Sequence, residues 1–192
     1  MSEIDTKAET IVNVHLGFAM VAGAIPFPFV DLVAVTAIQM DMLQQLATLY
    51  EVDFNGERGK SLATAMIGST IGTSLGRVGA SAVKAIPGIG SILGIGSQVV
   101  FSGATTFALG KVFQYHFQNK GTLSDFNIDL LKVKFEEFLN AGKKIALEKE
   151  KKQSNEDILN TINKLMELKE KGVITEDEFN KTKWDLLAKV SK

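Results

Sequence analysis

From Ala85 to Gly110 the chain carries no charged side chain, and glycines recur throughout the stretch. This run constrains the fold more than any other feature. A segment so long and so free of charge is either buried in protein or placed in lipid. Its first part, AIPGIGSILGIG (residues 85–96), allows three readings: a phosphate-gripping loop, a membrane hairpin, or a corner between two packed helices. The first reading fails on context. No strand pattern precedes it, and the nearby Gly59-Lys60-Ser61 has Phe54 where a G-x-x-x-x-G-K-[ST] loop needs its first glycine. A two-span hairpin would place Arg77 and Lys84 of the first arm in the bilayer, which is costly. A corner between helices fits best, with Pro87, Gly88 and Gly90 making the turn.

The flanking spacings support that corner. Gly68, Gly72, Gly76 and Ala80 recur every four residues, so a helix over this region presents one face without side chains. Each mid-helix glycine costs about 0.5–1 kcal/mol relative to alanine. Close approach of another helix backbone is the usual compensation. Beyond the corner, Gly96, Gly103 and Gly110 recur every seven residues. The expectation is a close antiparallel pair, Gly68–Ala80 against Gly96–Gly110. Gly121 lies in a later break and is expected to tolerate a side chain better than Gly72 or Gly103.

Around this centre the chain reads as helical. Residues 6–25 hold apolar residues in every register, from Ile11, Val12 and Val14 to Leu16, Phe18, Met20 and Val21, which marks a helix that is buried or in lipid; Asn13 and His15 interrupt the run. Pro26 and Pro28 end it, and Asp31 supports the next helix start. Leu32, Val35, Gln39, Met42, Leu46 and Leu49 form the buried stripe of that second helix, with Asp41, Gln44 and Gln45 outside it. A further amphipathic helix spans about 125–152. The expected architecture is all-α: a glycine-rich helical main domain over 1–152 with a central close-packed hairpin, then a helical hairpin over 155–192.

The terminal hairpin has the most explicit local signals. Gly172 suits the left-handed position that ends a helix, with Leu168 and Val173 as the accompanying pair. Thr175 and Glu178 form a T-x-x-E capping box, and Ile174 and Phe179 a hydrophobic staple. About 35 residues are too few to hold a secure core alone. The apolar face should therefore dock on the main domain or on a second copy.

Composition narrows the chemistry. With 45% hydrophobic and 22% charged residues, the chain is globular. It has no cysteine, which removes disulfides and thiol chemistry and fits a reducing compartment. His15 and His116 are far apart, and neither has a histidine four residues on, so no metal site is expected. The N-terminus lacks the basic start and apolar run of a signal peptide. Net charge is −1, and no dense basic patch points to nucleic acid. Yet residues 61–120 hold four bases and no acid.

Two resemblances follow from these segments. LMELKEKGVITEDEFNKTKWDLL (165–187) resembles the SHOCT domain, a short module thought to mediate oligomerisation or attachment. That resemblance implies a self-association role for Leu165, Leu168, Ile174, Phe179, Trp184 and Leu187. The region from about Ala24 to Phe117 resembles the bacterial family called domain of unknown function 697. The matching stretches are IPFPFVDLVAVTAIQMDMLQQLATLYEV, GSTIGTSLG, IPGIGSILGIG and ATTFALGKVF. Members occur with Era-like GTPases and in membrane-associated proteins, and the family carries no agreed catalytic residues.

The functional expectation is a non-enzymatic, self-assembling helical module without cofactor. Its place is the cytoplasm, peripherally at the inner face of the cell membrane. Its partners are other copies of itself, membrane lipid, and a separate GTPase or other protein. The alternative is an integral or lipid-binding protein with a glycine-zipper hairpin. Paired acids such as Glu136-Glu137 fit solvated helix faces, so an enzyme is not expected. A pocket for an apolar ligand inside the domain is the weakest reading.

Overall fold

A computed structural model describes residues 2–24, 30–78, 98–150, 152 and 155–190. Among these residues the protein is all-helical, as the periodicities require. Seven helices follow in order: α1 Glu3–Ala22, α2 Val30–Leu49, α3 Gly56–Val78, α4 Gln98–Gln118, α5 Ile128–Glu150, α6 Asn155–Glu170 and α7 Glu176–Val190.

Short polar signals set most helix ends. Ser2 and Asp5 form a reciprocal capping box at the start of α1, with Asp5 N–H donating to Ser2 Oγ (3.1 Å) and Ser2 N–H to Asp5 Oδ2 (2.9 Å). Asn55 and Asn127 cap α3 and α5 by accepting from Arg58 N–H and Leu130 N–H. Glu51, Lys120 and Gly172 take left-handed φ values of 57°, 62° and 72° just beyond α2, α4 and α6. After each, the next amide donates back to a carbonyl five residues earlier: Val52 to Ala47, Gly121 to His116, Val173 to Leu168. These are Schellman closures. Only the third has the glycine that announces it in the sequence.

Helix α4 is the axis of the main core. Its buried face includes Val100, Ala104, Ala108, Leu109, Val112 and Phe113, which pack with Val12 and Leu16 of α1, Met42 and Leu46 of α2, and Phe135 and Ala146 of α5. Phe113 stacks on Phe126 of the α4–α5 loop with ring centroids 4.4 Å apart. Arg58 ties the start of α3 to that loop by donating to the carbonyls of Leu123 (2.8 Å) and Ser124 (3.1 Å).

A second core lies on the other side of α1 and α2. Ala19, Val21 and Ala22 of α1 and Ala34, Val35, Ala37 and Ile38 of α2 cluster with Ile158, Leu165, Leu168, Ile174, Phe179 and Leu186 of the terminal hairpin. Helix α1 is thus buried on two sides, which explains why its later part, from Ile11 on, has apolar residues in every register. The hairpin closes as its local signals require: Thr175 N–H donates to Glu178 Oε2 (2.8 Å) and Glu178 N–H to Thr175 Oγ1 (3.3 Å).

Candidate functional site

The polar centre of the molecule is Asp41 of α2, at 7% relative exposure. Its Oδ2 accepts from His15 Nε2 of α1 (2.8 Å) and from Gln45 Nε2 one turn along α2 (2.7 Å), and pairs with Lys164 Nζ of α6 (2.6 Å). Lys171 Nζ, just past α6, stands 3.7 Å from Oδ1. One carboxylate therefore joins the α1–α2 pair to the terminal hairpin. Burial by itself would push the Asp41 carboxyl up. Hydrogen bonds from His15 and Lys164, and their positive charge, overcome this and hold it well below the usual carboxylate range.

His15 is enclosed between two acceptors. Its Nδ1 lies 2.8 Å from the carbonyl of Ile11, and its Nε2 meets the Asp41 carboxylate. Lys164 also reaches Glu167 Oε2 at 3.4 Å. The node is thus a mixed cluster whose one buried anion faces His15 of α1, Lys164 of α6 and Lys171 of the turn after α6. Such a cluster fixes orientation more than it adds strength, because desolvation offsets much of the attraction.

Two open clefts flank the node. One, of about 720 Å³, lies between α1 and α6 and is lined by Asn13, Gly17, Asn160, Lys164 and Glu167 among others, with Lys149 of α5. The second, of about 670 Å³, is lined by Thr10, Asp41, Gln45 and Lys171 among others. Among the described residues, no group of three or more His, Asp or Glu side chains is placed to hold a metal ion.

The glycines expected at helix contacts divide. A Cβ on Gly110 would stand 2.7 Å from Val12 Cγ2 and 2.9 Å from Met42 Sδ, and one on Gly103 would run into Met20 and touch Ala146. Both therefore sit at close helix crossings, against α1, α2 and α5. Gly68 does not: it is exposed, and no described atom lies within 4 Å of a Cβ built there. Gly72 and Gly76 are in α3, where the backbone alone is described. Ala80, Gly96 and the corner residues Pro87, Gly88 and Gly90 lie outside the described residues.

Gly121 corrects the expectation of tolerance. A Cβ there would collide with the His116 ring. That ring is held by the Thr122 carbonyl (2.9 Å from Nε2) and by an edge contact with Phe126. Gly142, unremarked in the sequence, is another close crossing, with a built Cβ 3.0 Å from the Ala104 carbonyl oxygen and from Phe107.

The residues expected to join copies are mostly spent within the chain. Leu165, Leu168, Ile174 and Phe179 are buried against α1 and α2, and Leu187 is half-buried. Trp184 alone of the six stays open, at 68% exposure. The apolar face docks in cis because Ala19, Ala22, Ala34 and Ala37 leave a shallow apolar seat beside the Asp41 node.

Residues 1–143 match the family described as a domain of unknown function, DUF697. The chain belongs to the DUF697 family. The match takes in α1 through most of α5, further toward the N-terminus than the resemblance in the sequence alone. Magnetosome membrane protein 22 of Magnetospirillum gryphiswaldense is similar to it, with 34% identity over 143 residues, covering 74% of this chain and 73% of the relative. No solved structure matches the chain. The DUF697 match ends before α6, so the terminal hairpin packs on the family domain from outside it. Among the described residues, no helix is long and apolar enough to cross a membrane.

Proposed function

We propose that this protein is a non-enzymatic helical module that associates peripherally with the cytoplasmic face of a membrane and self-associates there. The observation that carries the reading is the similarity, over 143 residues, to a relative named as a magnetosome membrane protein, beside the DUF697 match of residues 1–143. Within the uncharged run Ala85–Gly110, the part before the buried α4, Ala85 to Ser97, agrees with it as a stretch suited to meet lipid. No cofactor or nucleic acid enters this reading, and a separate GTPase or other protein partner rests on the family resemblance alone.

Self-association rests on the SHOCT resemblance of residues 165–187. Since most of that module's apolar face is docked in cis, copies would join through the surface around Trp184 or by exchanging hairpins. The alternative, a glycine-zipper hairpin inserted through 85–110, is favoured only by that same uncharged run.

The test is purification without detergent, a mass measurement, and flotation with vesicles of mixed neutral and anionic lipid. Peripheral association predicts a soluble oligomer that floats with vesicles and is stripped by alkaline carbonate. Carbonate resistance would favour insertion. A monomer that never floats would overturn the proposal.

A further inference from the structure

We infer that residues 155–190 are a releasable cover over an apolar face of α1 and α2, latched by Lys164 on Asp41, and that the uncovered face docks on a lipid surface. The lipid part rests on the membrane reading above; the latch does not.

The cover is a separate piece in three respects. It lies outside the matched family region, 1–143. It is closed by its own capping box and Schellman turn, so its hairpin geometry needs no help from α1 or α2. Its seat is made of small side chains, with Ala22, Ala34, Val35 and Ile38 at its centre.

The seam is built to open rather than to be permanent. A permanent seam would be closed and apolar. This one has a buried ion pair at its centre and an open cleft on each side, one lined by Lys164 and the other by Asp41 and Lys171. On release the partners of the ion pair regain hydration together, so the pair selects the docked position without making it irreversible. Removing one partner is different, because it leaves the other charge in the seam without its match.

What release uncovers identifies the occupant. The seat is apolar, lies at the end of α1 and the start of α2, and is continuous in sequence with AIPFPF (24–29), an uncharged stretch with two phenylalanines. The seat itself offers alanine, valine and isoleucine surface, with the Asp41 carboxylate at its margin. Such a surface suits a lipid interface, where area matters more than pattern.

The experiment uses the full chain and its Lys164→Gln variant, with amide exchange in the absence of lipid and flotation with vesicles of mixed neutral and anionic lipid. The expected result is at least about tenfold faster exchange in α6, α7 and residues 34–38, unchanged exchange in α4 and α5, and a severalfold larger vesicle-bound fraction. Unchanged exchange in α6 and α7 overturns the latch. Faster exchange without a larger bound fraction leaves the latch standing and overturns the lipid occupant; if wild type also fails to float, the membrane reading falls with it. Should Lys164→Gln lose protection in α4 as well, Lys171→Gln is the milder variant. It removes the outer, largely exposed cation and should shift both readouts in the same direction by less; no shift there overturns the latch.

Discussion

Where α4 crosses α1 and α5, helices meet at glycine; where α6 crosses α1 and α2, they meet at a carboxylate. The first crossing is steric. Gly103, Gly110 and Gly142 let backbones come within one side chain of each other, and the ion pair of Lys111 with Glu9 stays part-buried at its edge. The second is an apolar seat with one buried anion, His15, two lysines and two open clefts. The contrast separates two jobs. The glycine crossings fix the family domain, and substitutions there should act through volume. The carboxylate node fixes where the hairpin sits, and substitutions there should act through charge.

The largest effect should come from adding volume at the glycine crossing. Overpacking by a methylene or two costs about 1–3 kcal/mol, and Gly110→Leu adds four carbons where even a Cβ would be 2.7 Å from Val12. The variant should fail to fold cooperatively by circular dichroism under urea.

Next comes charge at the seam. Asp41→Asn keeps the shape but leaves His15 and Lys164 without their anion, a loss on the order of 3 kcal/mol. Urea titrations should show the loss in the hairpin's signal before that of α4. If both regions fall together, the two crossings are one unit.

Acid should act on the same seam. The folded Asp41 carboxyl is held below its unfolded value of about 3.9. Its stabilising contribution is therefore fully present above pH of about 4 and is lost as pH falls through the folded value. Hairpin docking, followed by amide exchange, should weaken in that window before α4 and α5 respond. Asp125, drawn down to about 2 by hydrogen bonds from the Thr122 hydroxyl and amide, should loosen the α4–α5 loop over about pH 4 to 2.

The smallest pair sharpens the steric side. Gly121→Ala displaces the His116 ring and should cost about 1 kcal/mol, the net worth of one lost hydrogen bond. Gly68→Ala meets no described atom and should gain about 0.5–1 kcal/mol by removing a mid-helix glycine. Thermal denaturation of the two variants should therefore shift in opposite directions.

What the sequence revealed follows the range of the interactions. The terminal hairpin was legible almost residue by residue, because caps, Schellman closures and staples are written within six positions. The all-helical class followed from periodicity; the spacing of Gly103 and Gly110 was read as packing against Gly68–Ala80, whereas these two glycines meet α1, α2 and α5. The Asp41 node was not legible. His15, Asp41 and Lys164 are joined only in space, and Asp41 falls outside its helix's apolar stripe, where an acid normally meets water. A faint sign existed in Asn13 and His15, the polar interruptions of a run with apolar residues in every register. The closures at Glu51 and Lys120 were hidden for another reason: a non-glycine residue takes the left-handed position there, so the usual glycine mark is missing.

Native-state amide exchange of the wild-type chain, followed across low denaturant concentrations, tests the division most directly. The account predicts that Leu165, Leu168 and Leu186 open together in a step of lower free energy, while Leu109, Val112 and Phe113 stay protected until global unfolding. A single opening shared by both sets, with one free energy and one denaturant dependence, would contradict it.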